Sequence, residues 1–283
     1  MHISRVHTEG HSKLNTLSAL PQPVNNLYYR GDLLQNIAMP CVAFVGSRKA
    51  TMYGKAVTTK LVQELVRVGV CIVSGLAIGI DSIAHQAALD AGGKTIAVLP
   101  SGLDYIYPAR HAHLAELIVT SGGALVSEYP TGQGAPMKHQ FIARNRIIAG
   151  LSQGVVITEA ATKSGSLHTA QFALELGLDV FAVPGNITSN ASAGTNNLVK
   201  TGAHPVTEAQ DILDHLGLQV SQQEFFGISS VQQQILQILQ TRPQSHKDLS
   251  LTSKLPIPEL QQALTELELE GAIRQSGQQW FLV

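Results

Sequence analysis

From residue 41 onward, short apolar segments alternate with longer amphipathic segments, and this alternation constrains the fold more than any other feature of the sequence. The apolar segments predict strands at 41–45, 70–74, 95–99, 124–127, 155–158 and 180–183. The amphipathic segments predict helices near 54–68, 79–91, 111–121, 137–151, 165–176 and 208–216. Strands that alternate with helices of this length need crossover connections and form a mostly parallel sheet. We therefore expect an α/β domain over residues 25–218, with a Rossmann-like, doubly wound sheet.

The remaining residues predict a second, smaller domain. A polar stretch over 219–228 is expected to be a linker. The spacing of apolar residues then predicts a first helix over 229–241. A short second helix near 247–253 and a third helix over 258–270 follow. Two short strands, 272–275 and 279–283, then flank a Ser-Gly turn. Three helices and a hairpin are typical of a winged-helix domain, which we expect over residues 229–283.

Charge is sparse and nearly balanced along the chain. Charged residues make up 14% of the 283 residues, and 19 Lys and Arg face 20 Asp and Glu, a formal net charge of -1. This composition excludes a disordered chain, and any nucleic-acid site must be a local basic cluster.

The cysteines suit a reducing compartment, because Cys41 and Cys71 both lie in predicted strands. The sequence predicts neither a signal peptide nor a membrane span. We expect a cytoplasmic protein.

The loop after the first predicted strand is suited to phosphate. In a doubly wound sheet, ligands bind beyond the carboxyl ends of the strands. There, Gly46 and Ser47 let the backbone approach an anion, and Arg48 can donate two hydrogen bonds to a phosphate. The dinucleotide fingerprint is absent, so no nucleotide cofactor is expected. The alternative is an exposed Arg-Lys pair on a surface loop.

Two other segments carry polar groups that could bind a ligand. The loop after the fifth strand predicts a phosphate-binding turn from Lys163, Ser164, Gly165 and Ser166. Asp81 and His85 share a helix face, but no third ligand stands at a suitable spacing. We therefore expect a helix cap there and no metal site.

The predicted helix over 137–151 places cations around an aromatic ring. Its candidate residues are Lys138, Phe141, Arg144, Asn145 and Arg146. Cations beside an aromatic ring are typical of single-stranded nucleic-acid sites, where charge contacts phosphates and the ring stacks on a base. Alternatively, Phe141 packs into the core, and Arg144 or Arg146 pairs with Glu159 or Glu128. Because residues 138–168 hold four basic residues against Glu159 alone, we predict a basic pocket at this edge of the sheet.

Several motifs resemble the DNA-processing protein A (DprA/Smf) family over residues 25–205. They are Val45-Gly46-Ser47-Arg48, residues 74–81, Gly102-Leu103-Asp104, Arg144-Asn145-Arg146, Ser164-Gly165-Ser166, Val183-Pro184-Gly185 and Gly194-Thr195-Asn196. The resemblance implies a homodimeric, non-enzymatic protein that binds single-stranded DNA and loads a RecA-type recombinase in natural transformation. It also implies that Arg48 binds phosphate, that Lys138 is a basic contact and that Phe141 lies beside the DNA.

Two segments depart from that family pattern. Many members carry a helical domain before the segment that corresponds to residues 27–31, whereas residues 1–24 here are weakly patterned. We expect an N-terminal tail or the remnant of a helical domain. The third helix of the predicted winged-helix domain contains four glutamates and no Lys or Arg, so phosphates would repel it. We expect it to contact protein rather than duplex DNA.

An alternative function is that of a nucleotide-binding hydrolase of the LOG phosphoribohydrolase type. Those enzymes carry a P-G-G-x-G-T-x-x-E loop after a late strand. The comparable residues 163–169 lack both the double glycine and the glutamate. If the chain is a dimer, the apolar stretch over 180–199 is a candidate interface.

Overall fold

Within the described residues, nine strands pair into one sheet. The strands are β1 (Ser4–His7), β2 (Asn26–Gly31), β3 (Cys41–Val45), β4 (Cys71–Ser74), β5 (Thr95–Val98), β6 (Ala124–Ser127), β7 (Gly154–Ile157), β8 (Asp179–Ala182) and β9 (His204–Pro205). Their order is β1-β2-β6-β5-β4-β3-β7-β8-β9. The seven strands from β6 to β9 are parallel, and β2 and β1 add an antiparallel edge.

The computed structural model describes residues 2–282 except 19, 21, 219–229, 242, 254, 270 and 278. The chain divides into two compact units, one up to residue 221 and one from residue 222. The predicted linker over 219–228 lies outside the described residues.

Helices connect the parallel strands as the alternation predicts. In the larger unit they are α1 (Asn15–Ser18), α2 (Leu33–Asn36), α3 (Met52–Arg67), α4 (Ile80–Asp90), α5 (Ala112–Thr120), α6 (Lys138–Gly150), α7 (Leu167–Glu175), α8 (Ala193–Lys200) and α9 (Ala209–His215). A short 3-10 helix, Ala109–His111, precedes α5. All six predicted helices are present, each beginning and ending within two residues of the expected position.

Both faces of the sheet are buried, which confirms the doubly wound α/β fold. Side chains of β3 alternate between two apolar clusters: Ala43 and Val45 face α6 and α7, whereas Val42 and Phe44 face α3, α4 and α9. Strands that are covered on both faces are apolar throughout, and for this reason the sequence predicts them. The strand β8 is also buried within the sheet, so residues 180–183 are not available for a dimer interface.

The described residues between 4 and 24 pack onto the sheet, so the alternative of a free N-terminal tail is wrong. The strand β1 pairs with β2 and extends the sheet by one antiparallel strand. Leu14 and Leu17 have no exposed surface, and both belong to the apolar cluster beside α6. These elements are only four residues long, so their stability comes from packing against the sheet rather than from local periodicity, which leaves little signal in the sequence.

The smaller unit has the predicted winged-helix fold. Its elements are α10 (Ser230–Thr241), β10 (Gln244–Ser245), α11 (His246–Ser253), α12 (Ile257–Leu269), β11 (Ile273–Ser276) and β12 (Gln279–Leu282). In the described part of this unit, the strands form an antiparallel sheet in the order β10-β12-β11. The core contains Leu239, Leu264 and Trp280, one from each of α10, α12 and β12.

The two cysteines lie side by side on β3 and β4, buried and free, as the sequence predicts. A hydrogen bond with Cys41 and burial both raise the pKa of the Cys71 thiol. The Cys71 side chain therefore stays a neutral thiol that packs in the core.

None of the helices in the described ranges is both long enough and apolar enough to span a lipid bilayer.

Candidate nucleic-acid interface

A cleft opens beyond the carboxyl ends of β3 and β7. The connections that follow these neighbouring strands lead to opposite sides: β3 is followed by β4 on one side, and β7 is followed by β8 on the other. Such a reversal separates the two following loops and leaves a crevice between them. The cleft has a volume of about 660 Å³. It is lined by Val45, Gly46, Ser47, Arg48, Lys49, Ala77, Asp81, Tyr107, Lys138, Phe141, Ile142, Arg144, Asn145, Ala161, Ser164, Gly165, Ser166 and Thr169.

The loop after β3 is held from two sides. The Ser47 N–H donates to the Glu159 carbonyl oxygen at 2.7 Å, and the Ser47 carbonyl accepts from the Ile80 N–H at 3.1 Å. A Cβ added at Gly46 would lie 2.7 Å from the Ile80 side chain, so this close approach requires glycine. The backbone next to Arg48 is therefore fixed by the β7 loop and by α4.

The carboxylate of Glu159 is already engaged at the start of α3. It accepts hydrogen bonds from the Thr51 N–H at 2.8 Å and from the Thr51 hydroxyl at 2.6 Å. The Thr51 side chain in turn caps α3 by accepting from the Gly54 N–H at 3.1 Å. The negative charge of Glu159 is thus bound to a helix N-terminus, and the alternative pairing of Glu159 with an arginine does not occur.

Arg48, Phe141 and Tyr107 form a stacked group at the cleft. The Arg48 Cζ atom lies 5.4 Å from the centre of the Phe141 ring, within the range of a cation–π contact. The Tyr107 ring meets the same ring edge-on, with centroids 5.3 Å apart. Arg48 and Lys138 are exposed, and neither pairs with a carboxylate among the described residues. Both cations are free to meet an anion.

Arg144 lies beneath this group and is buried. Its guanidinium donates hydrogen bonds to the carbonyl oxygens of Gly75 and Val98, and its Nε donates to the Asn145 side chain at 3.3 Å. A Cβ at Gly75 would overlap the guanidinium, so glycine is required there. Burial lowers the pKa of Arg144 to about 10, partly offset by the charge of Asp81. Arg144 therefore remains cationic at neutral pH and contributes fixed positive charge to the cleft floor.

Asp81 and His85 form hydrogen bonds below the cleft, but Asp81 does not cap α4 as expected: the N-cap residue is Gly79, and no side-chain hydrogen bond caps the helix. Asp81 accepts from the Gly75 N–H at 3.1 Å, and burial raises the pKa of its carboxyl despite the nearby Arg144. Burial lowers the pKa of His85 to about 3, so the ring is neutral. Its Nε2 accepts from the Leu76 N–H at 3.3 Å, and Nδ1 is 2.7 Å from the Thr95 hydroxyl. Both nitrogens are engaged, so this pair leaves no free ligand atom on His85 for a metal.

The same network holds Leu76 in an unusual backbone conformation. Leu76 has φ +56°, in the left-handed region that non-glycine residues rarely adopt. Its N–H is bound by His85, and its carbonyl accepts from His111 Nδ1 at 2.8 Å. These two hydrogen bonds fix the β4 loop next to Gly75, where Arg144 docks.

The loop before α7 forms the other wall. The hydroxyls of Ser164 and Ser166 are 2.8 Å apart, and the Asn145 amide donates to the Gly165 carbonyl at 3.3 Å. The N–H groups of Leu167 and His168 donate within this loop. Serine hydroxyls, rather than the helix N-terminus, therefore supply the polar lining on this side.

Two predicted residues lie outside the cleft. Arg146 forms a two-point ion pair with Glu128, at 2.7 and 3.2 Å, and its side chain is only 8% exposed. This is one of the alternatives raised by the sequence. Arg144 and Arg146 are about 200° apart around α6, so both cannot face the same side. Lys163 is exposed beside the cleft but does not line it.

The other ten predicted residues meet at the cleft: Gly46, Ser47, Arg48, Lys138, Phe141, Arg144, Asn145, Ser164, Gly165 and Ser166. Lys49 adds a further cation, and Asp81 is the only acidic residue among the described residues that line the cleft. Tyr107 was missed as a site residue, because no sequence spacing places it against Phe141. The cleft is thus a local basic site in a chain whose net charge is -1.

A protein-family model for "DNA recombination-mediator protein A" matches residues 6–217, and one for the "DprA winged helix domain" matches residues 226–279. The chain belongs to the DNA recombination-mediator protein A (DprA) family. It is 50% identical over 175 residues to Protein Smf of Escherichia coli (strain K12), which covers 62% of this chain and 46% of the relative. It is 48% identical over 187 residues to DNA processing protein DprA of Streptococcus pneumoniae, or 66% of this chain and 65% of that protein. The chain therefore spans about half to two thirds of the length of these relatives.

Solved structures of the family share the fold. DprA from Streptococcus pneumoniae matches with a TM-score of 0.69 and 41% identity, over 76% of this chain and 74% of that chain. DNA processing protein A from Helicobacter pylori matches with a TM-score of 0.68 and 35% identity, over 76% and 96% of the two chains. The Helicobacter pylori structure describes a single-stranded DNA binding mode of that protein.

Proposed function

We propose that this chain binds single-stranded DNA in the cleft between the β3 and β7 loops. The observation that carries the proposal is the cation–π contact between Arg48 and Phe141 at a basic cleft. A free guanidinium suits a backbone phosphate, and an adjoining aromatic face suits an unpaired base. The single-stranded DNA binding mode of the Helicobacter pylori relative supports the same assignment.

The proposal favours single strands over duplex DNA. In a duplex, the base faces are stacked on one another, so Phe141 gains little from it. The winged-helix unit offers no compensating contact on its third helix, because α12 carries Glu259, Glu266 and Glu268 and no Lys or Arg within its described residues. Phosphates would repel that helix. We assign the winged-helix unit to contacts with protein.

The proposed function includes a step after DNA binding. As the family resemblance implies, the chain loads a RecA-type recombinase onto incoming single-stranded DNA during natural transformation, and it acts as a homodimer. Loading predicts that the protein shortens the delay before recombinase filaments form on DNA covered by single-strand-binding protein. An unchanged delay, with DNA binding intact, would confine the function to DNA binding.

A nucleotide hydrolase remains the alternative, and the carboxylates near the cleft do not favour it. Asp81 is buried and hydrogen-bonded to Gly75, and Glu159 is bound to Thr51, so neither is held as a free general base. We expect no release of free base from nucleoside monophosphates. Release that Arg48→Ala abolishes would establish the alternative.

The direct test compares oligo-dT with a duplex of the same length by fluorescence anisotropy. Full-length protein is titrated into each labelled DNA over a series of salt concentrations. We expect oligo-dT to bind more tightly at every salt concentration. Unlabelled oligo-dT should displace labelled oligo-dT fully, whereas unlabelled duplex should displace it weakly. Equal or tighter binding of duplex would refute the assignment to single strands.

A further inference from the structure

Three potential metal ligands meet at the end of the sheet away from the cleft. Asp179 begins β8, His204 begins β9, and His215 ends α9. The Asp179 Oδ1 atom lies 3.3 Å from His215 Nε2 and 3.6 Å from His204 Nε2. One ligand atom from each of the three residues lies within 4.8 Å of the other two. The cleft is beyond the carboxyl ends of the strands, whereas this cluster is at their amino ends.

The core holds both imidazoles in place. The Phe181 side chain is completely buried, and its ring centre lies 5.6 Å from the ring centres of both His204 and His215. The β8–β9 register places His204 beside Phe181. Asp179 is two residues before Phe181 and therefore projects from the same face of β8. The two imidazole rings, whose centres are 3.6 Å apart, direct their Nε2 atoms towards one carboxylate oxygen. The rings would have to separate for both nitrogen atoms to bind one tetrahedral ion.

The two Asp179–histidine distances are close to those between ligands of a tetrahedral ion. Zinc binds histidine nitrogen at about 2.0–2.1 Å and carboxylate oxygen at about 2.0–2.2 Å, which separates ligand atoms by about 3.3–3.5 Å. The two Asp179–histidine distances lie at or near that range. Two imidazoles and one carboxylate suit zinc and neighbouring divalent transition ions, rather than the oxygen-rich sites of calcium or magnesium.

We propose that Asp179, His204 and His215 bind one Zn²⁺ ion, with water as a further ligand. Each side chain is roughly 40% exposed, so the ion can enter from solvent. Bound zinc joins the short edge strand β9 and the last described helix of the larger unit to β8. No sequence pattern indicates this site, because its ligands are 25 and 11 residues apart on three different elements.

The test is calorimetric titration of ZnCl₂ into the full-length protein carrying no polyhistidine tag. We expect one saturable site per chain in the wild type. His204→Ala or His215→Ala should weaken zinc binding at least about 100-fold, and Asp179→Asn at least about 10-fold. His113→Ala is the control, because His113 is an exposed histidine on α5, outside the cluster. Absence of saturable binding, or equal loss in His113→Ala, would overturn the proposal.

Thermal unfolding gives a second readout that does not depend on DNA binding. At a zinc concentration about 100 times the Kd, the wild type should unfold at least about 5 °C higher than in EDTA. Asp179→Asn preserves side-chain size, so it should fold and show a zinc-dependent shift no more than about half that of the wild type. Co²⁺ bound to the wild type should produce the intense visible absorption of a four-coordinate ion. An equal zinc-dependent shift in Asp179→Asn would contradict the site.

Discussion

Phe141 has two neighbours in the cleft whose roles can be separated by mutation: the guanidinium of Arg48 and the ring of Tyr107. Phe141→Leu keeps an apolar side chain but removes the aromatic face. Because stacking on a base contributes about 1–3 kcal/mol, we expect oligo-dT affinity to fall about 5- to 150-fold. Anisotropy titrations check this loss. Phe172→Leu is the control, since Phe172 is a half-buried aromatic residue on α7 that does not line the cleft.

The contact between Arg48 and Phe141 further predicts that their mutations are not additive. Removing the ring also removes the surface that orients the guanidinium. A double-mutant cycle with Arg48→Ala should therefore give a coupling free energy of at least about 0.5 kcal/mol in oligo-dT binding. Strictly additive losses would show that the two side chains bind DNA independently.

His85 gives the larger unit a predictable response to acid. Burial lowers the folded-state pKa of His85 from 6.5 to about 3. Between these values the unfolded chain binds a proton that the native state excludes, so stability is present above pH 6.5 and is lost as the pH falls. We expect His85 to contribute a loss of about 2 kcal/mol between pH 7 and pH 5. Urea unfolding at each pH, compared with His85→Gln, isolates this contribution from that of Asp81, whose raised pKa acts in the opposite direction.

Circular dichroism is the appropriate signal for that experiment, because the single tryptophan, Trp280, reports on the winged-helix unit. His85→Gln should lower stability at pH 7 and flatten its dependence on pH. The same dependence on pH in both proteins would mean that the pKa of His85 is the same in the native and unfolded states.

At the scale of elements, the turn that joins the β4 loop to α4 determines where Arg48 sits. Gly79 has φ +89°, and a Cβ there would overlap the Ser47 carbonyl oxygen. Gly79→Ala should therefore destabilise the protein by about 2–3 kcal/mol and displace the Arg48 loop. We expect oligo-dT affinity to fall about as much as in Arg48→Ala.

Gly92→Ala is the matched control for that substitution. Gly92 also has a positive φ, +72°, but a Cβ there would meet nothing within 4 Å. It should cost only about 1 kcal/mol of stability, from backbone strain, and leave DNA binding unchanged. If both variants bind DNA like the wild type, the contact between Gly79 and Ser47 does not position the Arg48 loop.

The elements differ in how far the sequence predicts them. Parallel strands buried on both faces are apolar throughout, so the ends of β3 to β8 were predictable to within one residue. The carboxyl-end rule then brought the loops of Arg48 and Ser164 to one edge. By contrast, β1 and β9 are four and two residues long, and their pairing depends on tertiary contacts that have no local periodicity.

Side-chain direction within an element was harder to predict than the element itself. The sequence places Arg144 and Arg146 on one basic helix, but the helical rotation sends Arg146 to Glu128. Even Arg144, which does reach the cleft, is buried against two carbonyl groups rather than exposed to a ligand. Which cation stays free is decided by packing, as is the contact of Tyr107 with Phe141.

At the scale of the whole molecule, the two parts of the chain differ in the sign of their net charge. Residues 1–220 hold 15 basic and 14 acidic residues, whereas residues 221–283 hold 4 basic and 6 acidic residues. With little net charge to attract DNA at long range, binding must depend on the few cations of the cleft. Loss of a single cation should then be visible both in affinity and in the dependence of affinity on salt.

The most direct measurement is the salt dependence of oligo-dT affinity for the wild type, Arg48→Ala and Lys138→Ala, with Lys200→Ala as a control on exposed α8 surface. For each of Arg48 and Lys138 we predict an affinity loss of about 10-fold or more at low salt. The slope of log affinity against log salt should also become shallower by about 0.7 for each phosphate contact removed. Lys200→Ala should match the wild type. Unchanged affinity and slope in both cleft variants, or an equal loss in Lys200→Ala, would contradict binding of single-stranded DNA at this cleft.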